Sequence, residues 1–135
     1  NFYEFYYNKK LQEGENAIAI FTSQSGETSD TLTSLRRVNE MGIPTVSISN
    51  EPESSMTKEA KIAIVTRGET ETAILGTKTY ITQLACLYQI LFNASDYENK
   101  TELLVQLAEM PDLIEDLLLS TEDKNKDLAA KNPFF

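Results

Sequence analysis

Residues 15–42 read Glu15-Asn16-Ala17-Ile18-Ala19-Ile20-Phe21-Thr22-Ser23, then Gln24-Ser25-Gly26-Glu27-Thr28, then Ser29-Asp30-Thr31-Leu32-Thr33-Ser34-Leu35-Arg36-Arg37-Val38-Asn39-Glu40-Met41-Gly42. The first segment is a short apolar run that ends in small hydroxyl residues, which suits a buried parallel strand. From Thr28 the period becomes helical, with Leu32, Leu35, Val38 and Met41 on one face and Gly42 as a stop. Between the two lies a polar turn rich in hydroxyls with one glycine. Strand, polar turn and helix together are the first unit of an open α/β sheet, in which ligands gather beyond the carboxyl ends of the strands.

Working outward, Ile43-Pro44-Thr45-Val46-Ser47-Ile48-Ser49 predicts a second strand, with Pro44 tolerable at its start. Asn50 to Ser55 is a loop leading to a helical turn near 54–59, and Lys61 to Val65 is a third strand. A polar stretch from Arg67 to Thr72 precedes an apolar helix over about 75–92. This order is that of a doubly wound, flavodoxin-like parallel sheet with right-handed crossovers. Further on, Leu103, Leu107, Met110, Ile114 and Leu117 lie three or four apart, so an amphipathic helical segment is expected over 99–119. Pro111 would kink it or begin a second helix. A separate short helix is expected over 120–131, capped by Ser120 or Thr121.

Composition narrows the chemistry. The chain has 135 residues, 41% hydrophobic and 24% charged, which is the profile of one globular domain. Its net charge of −9 disfavours a nucleic-acid backbone as a partner. Helix N-termini and backbone N–H groups can still hold a small anion locally. No apolar run is long enough for a membrane span. The single cysteine, Cys86, lies in an apolar stretch, is read as core, and suggests a reducing, cytoplasmic setting. The sequons at Asn93 and Asn99 are then chance matches. There is no histidine, so a Ser-His-Asp triad, a Cys-His pair and a typical zinc site are excluded; no metal and no cofactor is expected.

In the turn itself, Gly26 permits positive φ and close approach of a ligand, and the first N–H groups of the following helix point toward it. Hydroxyls of Ser23, Ser25, Thr28 and Ser29 can donate to phosphate oxygens. Glu27 would repel a phosphate, but can turn outward as a helix-start carboxylate. On residue types alone a second reading stands equally: Ser25 or Thr28 merely caps the helix and Gly26 merely turns the chain. A Walker A loop is excluded, since Gly-Lys-[Ser/Thr] is absent.

The run Ser23-Gln24-Ser25-Gly26-Glu27-Thr28-Ser29-Asp30-Thr31 between strand and helix resembles the phosphate loop of the sugar isomerase (SIS) domain family. Its pattern is nearest to the first of the two such domains in isomerising aminotransferases of the glucosamine-6-phosphate synthase type. Tyr3-Glu4-Phe5, Ser49-Asn50-x-Pro52-x-Ser54-Ser55, Thr70-Glu71 and Thr77-Lys78-x-x-x-x-Gln83-Leu84 resemble family segments in the same order. Leu107-x-x-Met110-Pro111-x-x-Ile114-Glu115 resembles the helical linker between two SIS domains.

The resemblance implies a partial SIS domain over 1–95, lacking its first strand, then a helical linker over 96–132 and the start of another strand at 133–135. It implies a sugar-phosphate site of Ser23, Gln24, Ser25, Gly26 and Thr28, with Ile74, Gly76 and Thr77 from the loop before the long helix. Gly76 departs from the family pattern, which has a hydroxyl there, so one expected hydrogen bond to the sugar is lost and a different natural sugar stays open. The expected ligand is of the fructose 6-phosphate or glucosamine 6-phosphate class, and the expected assembly is a homodimer through SIS domains. Lys78 could neutralise the ligand, but a structural lysine paired with Glu71 or another carboxylate is the preferred reading. Glu71 is likewise read as structural rather than as a base, and Tyr3, Tyr6 and Tyr7 as packing residues. The catalytic carboxylate of two-domain relatives lies in the second domain, so this stretch is expected to bind phosphate without catalysing alone. A deglycase or ketose-phosphate isomerase acting on another sugar phosphate, or a non-catalytic sensor domain, are the alternatives.

Overall fold

The structure, a computed structural model, describes residues 17–71 and 76–132. It divides into two compact units, the first ending at Leu87 and the second beginning at Tyr88. The segments around Tyr3, Ile74 and Phe134 lie outside the described residues.

Within the first unit, strands β1 (Ala19–Ser23), β2 (Thr45–Ser49) and β3 (Ile62–Val65) form a parallel sheet in the order β1-β2-β3. Phe21 pairs with Ser47 and Ser47 with Ala63, so these three share one face. Helices α1 (Ser29–Glu40) and α2 (Ser55–Glu59) make the two crossovers. They touch each other: Arg36 grips the Glu59 carboxylate with two bonds of 2.7 Å, and the Asn39 amide donates to the Glu59 carbonyl at 2.9 Å. Beneath them Leu32, Leu35 and Met56 form the core, with Phe21 and Ala60 packed against it. The α/β class and parallel sheet expected from the sequence are therefore present.

All five residues of β2 are buried, as a central parallel strand requires. Its helix-facing side chains are small hydroxyls, and most are satisfied. Thr45 Oγ1 donates to Asn39 Oδ1 at 2.8 Å and accepts from the Lys61 N–H. The Ser49 hydroxyl lies 2.9 Å from that of Thr57. Among the described residues Ser47 Oγ alone is buried without a partner.

Helix α1 ends at Glu40, where Gly42 takes φ +73° and stops it as expected. Helix α3 (Lys78–Ala94) follows β3, and α4 (Lys100–Lys131) follows it. One expectation is corrected here. The chain has no break near 120; α4 is continuous through Pro111 and through Ser120 and Thr121. Those two hydroxyls do not cap a new helix. Both donate back to the Leu117 carbonyl, at 3.0 and 2.7 Å, and an i,i+4 pair between Glu122 and Lys126 supports the following turn. The expected apolar stripe half-buries Leu103, Leu107 and Ile114 and leaves Met110 and Leu117 exposed.

Candidate functional site

Three loops leave the carboxyl end of the sheet, and each leads to a helix start. The first, Gln24–Thr28, holds four of the expected site residues, and Ser23 at the end of β1 adjoins them. Gly26 has φ +66°, and a Cβ there would collide with the Ser54 side chain, so only glycine fits this close crossing. Its N–H donates to Ser23 Oγ at 3.0 Å, and Ser23 Oγ lies 2.8 Å from Thr28 Oγ1. The Glu27 N–H donates to Ser25 Oγ at 3.2 Å. Ser23 is almost closed off, whereas Gln24 and Thr28 are exposed and Ser25 is half-buried. Thr28 occupies the N-cap position of α1 with extended backbone, but no side chain caps the helix. The simple capping alternative is thus not what the hydroxyls of this loop do.

The carbonyls of the loop face the second loop. The Asn50 N–H donates to the Gln24 carbonyl at 3.0 Å, and the Met56 N–H to the Gly26 carbonyl at 3.1 Å. The Glu27 carboxylate accepts from the Ser55 N–H at 2.6 Å. That bond, before any other influence, holds the Glu27 carboxyl below its usual range. Glu27 therefore does sit at a helix start, but at that of α2 rather than of its own helix. Ser54 supplies the N-cap of α2, its Oγ accepting from the Thr57 N–H at 3.3 Å.

The third loop is tied to the second by a buried side chain. Asn50 Oδ1 accepts from the Gly68 N–H at 2.6 Å and from Thr66 Oγ1 at 3.1 Å, and its Nδ2 donates to the Glu69 carbonyl at 2.8 Å. This holds a stretch in which Arg67 and Glu69 both have positive φ. Sequence reasoning noted Asn50 in a motif without giving it a role; the one signal available there was an amide directly after a strand.

At the start of α3 the Glu71 carboxylate accepts four bonds. Thr77 donates its N–H at 2.9 Å and its hydroxyl at 3.2 Å; Thr79 donates its N–H at 3.2 Å and its hydroxyl at 3.1 Å. The Thr77 N–H is the chief cause that lowers the Glu71 carboxyl to about 2. Glu71 is thus a structural carboxylate, as expected. Lys78 does not pair with it; its Nζ lies 3.9 Å from Glu69. Of the site residues expected in this loop, Thr77 is engaged by Glu71, Gly76 lies one residue before it, and Ile74 is outside the described residues. Cys86 is half-buried, and burial raises its thiol pKa. Among the described residues no group of three or more His, Cys, Asp or Glu could hold a metal ion, and no helix is long and apolar enough to cross a membrane.

Comparison with known proteins agrees with this architecture. The family described as "SIS domain" matches residues 2–94. The isomerising glutamine–fructose-6-phosphate aminotransferase of Methanothermobacter thermautotrophicus is 39% identical over 116 residues, covering 86% of this chain and 19% of that protein. Its counterpart in Wigglesworthia glossinidia brevipalpis is 34% identical over 122 residues, covering 86% and 20%. The solved C-terminal domain of glucosamine-fructose-6-phosphate aminotransferase from Francisella tularensis superposes with a TM-score of 0.79 at 25% identity, covering 95% of this chain and 38% of that one. The chain thus spans about a fifth of the length of these curated relatives.

Proposed function

The chain belongs to the SIS domain family, and from that premise we propose that its first loop anchors the phosphate of a sugar phosphate. Ser23, Gln24, Ser25, Gly26 and Thr28 form the anchor, and Ile74, Gly76 and Thr77 contact the sugar. The observation that carries this reading is the start of α1. It has no side-chain cap and is surrounded by hydroxyls, while the starts of α2 and α3 are each met by a glutamate of the chain itself. A dianion supplies what α1 lacks: an acceptor for first-turn N–H groups at the positive end of the helix dipole.

The ligand is of the fructose 6-phosphate or glucosamine 6-phosphate class, and the parent protein is an isomerising aminotransferase of the glucosamine-6-phosphate synthase type that dimerises through such domains. The ligand class and the activity rest on the names of the relatives given above, and the dimer on the family resemblance alone. Glycine at position 76 favours a second reading, in which a related enzyme handles another amino-sugar or sugar–amino-acid phosphate. We assign this chain the anchor rather than the proton transfer. Glu27 in the first loop and Glu71 in the third are both committed to N–H donors that depress their pKa, which is the opposite of what a general base near neutral pH needs.

Titration with fructose 6-phosphate and with glucosamine 6-phosphate, followed through backbone amide shifts, tests the site. Residues 23–28 are expected to respond first and most. A folded sample whose loop amides do not move with either ligand would refute it.

A further inference from the structure

We propose that Glu27 is a positioning residue, whose carboxylate ties the first loop to the start of α2 and so fixes the loop's donors for a phosphate; this rests on the anchor reading above. A carboxylate within an anion-binding loop weakens binding if its charge faces the ligand. Here its Oε1 is engaged by the Ser55 N–H at 2.6 Å, and Lys58 and Arg36 attract the same charge. The contact is one of three with a common polarity. Gln24 and Gly26 accept through their carbonyls, and Glu27 through its carboxylate, all from the N–H groups of Asn50, Met56 and Ser55. The loop meets its neighbour entirely as an acceptor. The hydroxyls of Ser25 and Thr28 and the first-turn N–H groups of α1 are not used in that junction. Gly26 closes the junction sterically, since its missing Cβ leaves room for Ser54.

Wild type, Glu27→Gln, Glu27→Ala and Ser55→Pro separate positioning from repulsion. Glutamine keeps an oxygen for the Ser55 N–H and loses the charge. Proline at 55 keeps the charge and removes the N–H, at a first helical position preceded by Ser54 with an extended backbone, where proline is tolerated. Inorganic phosphate and fructose 6-phosphate are the probes, and amide exchange of Met56 without ligand is the second readout. Glu27→Gln is expected to stay within about threefold of wild type in affinity, while Glu27→Ala and Ser55→Pro weaken both probes about tenfold. Met56 exchange should accelerate about tenfold in the latter two and not in Glu27→Gln. Affinity equal to or tighter than wild type in Glu27→Ala, or unchanged Met56 exchange in Glu27→Ala and Ser55→Pro, overturns the proposal. Should Glu27→Ala not fold, Ser55→Pro decides between the same outcomes. If wild type binds neither probe, the anchor reading falls, and the exchange measurement still decides whether Glu27 positions the loop.

Discussion

The helix after β1 and the helix after β3 begin in opposite ways. At α3 the chain supplies its own anion: Glu71 gathers two N–H groups and two hydroxyls from Thr77 and Thr79. At α1 the chain supplies hydroxyls and a glycine turn but no side-chain cap, and the one acidic group in the loop is turned onto the neighbouring helix. Both starts have first-turn N–H groups without a partner inside the helix, and the same dipole. A helix N-terminus alone is therefore not a site; what distinguishes the two is that the carboxylate of the preceding loop bonds the start of α3 in one case and is turned onto α2 in the other.

The comparison breaks most severely if the first loop cannot keep its crossing with Ser54. A Cβ at Gly26 would stand 2.5 Å from Ser54 Cβ and nearer still to its Oγ, in a backbone with φ +66°. Left-handed backbone and overpacking together should make Gly26→Ala less stable by about 2–5 kcal/mol. Urea unfolding measures it, and a loss below about 1 kcal/mol would mean that α2 moves away at little cost.

Removing the donors while leaving the crossing intact should act on binding instead. Ser25→Ala combined with Thr28→Ala is expected to weaken fructose 6-phosphate binding by about 2–4 kcal/mol, if each charge-assisted bond contributes about 1–2. Calorimetric titration checks this. Unchanged affinity would mean that backbone N–H groups alone hold the phosphate, so that the hydroxyls do not distinguish α1 from α3.

Asn50 joins the two regions, because its backbone N–H binds the first loop and its side chain holds the third. Asn50→Ala leaves the Gly68 N–H and the Glu69 carbonyl without this partner, and should cost about 1–3 kcal/mol. Amide shifts are expected to change at 66–71 through the lost side chain and to stay nearly constant at 24–28. Large shifts at both would show that the amide also sets the geometry of the first loop.

Much of this was legible in the sequence, and the part that was not has a common physical cause. The β1–loop–α1 unit, the Gly42 stop and the Ser54 turn follow from local periodicity and from glycine's access to positive φ. Glu71 is expected to be structural rather than a base without any help from periodicity, and its four threonine bonds agree. The partner of Glu27 lies 28 positions away and that of the Asn50 side chain 18, so neither can be read before the strands set the loops side by side. Lys78 lies by Glu69, within the expectation of Glu71 or another carboxylate; Glu71 itself already faces the threonine donors. The break expected at Ser120 failed because serine and threonine can bond backward to a carbonyl as readily as forward to an N–H.

The smallest expected effect lies on the Glu71 side. Its folded-state pKa is about 2 against an ordinary 4.5, so the ionised carboxylate stabilises the folded chain. For a depressed carboxylate that contribution is complete above the unfolded value and is lost as pH falls through the folded one. Thermal melts of wild type should therefore lose stability between pH 4.5 and 2. Glu71→Gln should descend less steeply over that window, though not flatly, because Glu27 and Glu59 are also held below their usual range. Parallel curves would show that Glu71 is not an acid-sensitive support. Glu71→Ala carries the comparison to its end: with the carboxylate gone, the start of α3 comes to resemble that of α1. Added phosphate should then raise the melting temperature of Glu71→Ala more than that of wild type. An equal rise would mean that an uncapped helix start does not suffice, and that the hydroxyl-lined glycine turn of residues 23–28 is what makes α1 the anion site.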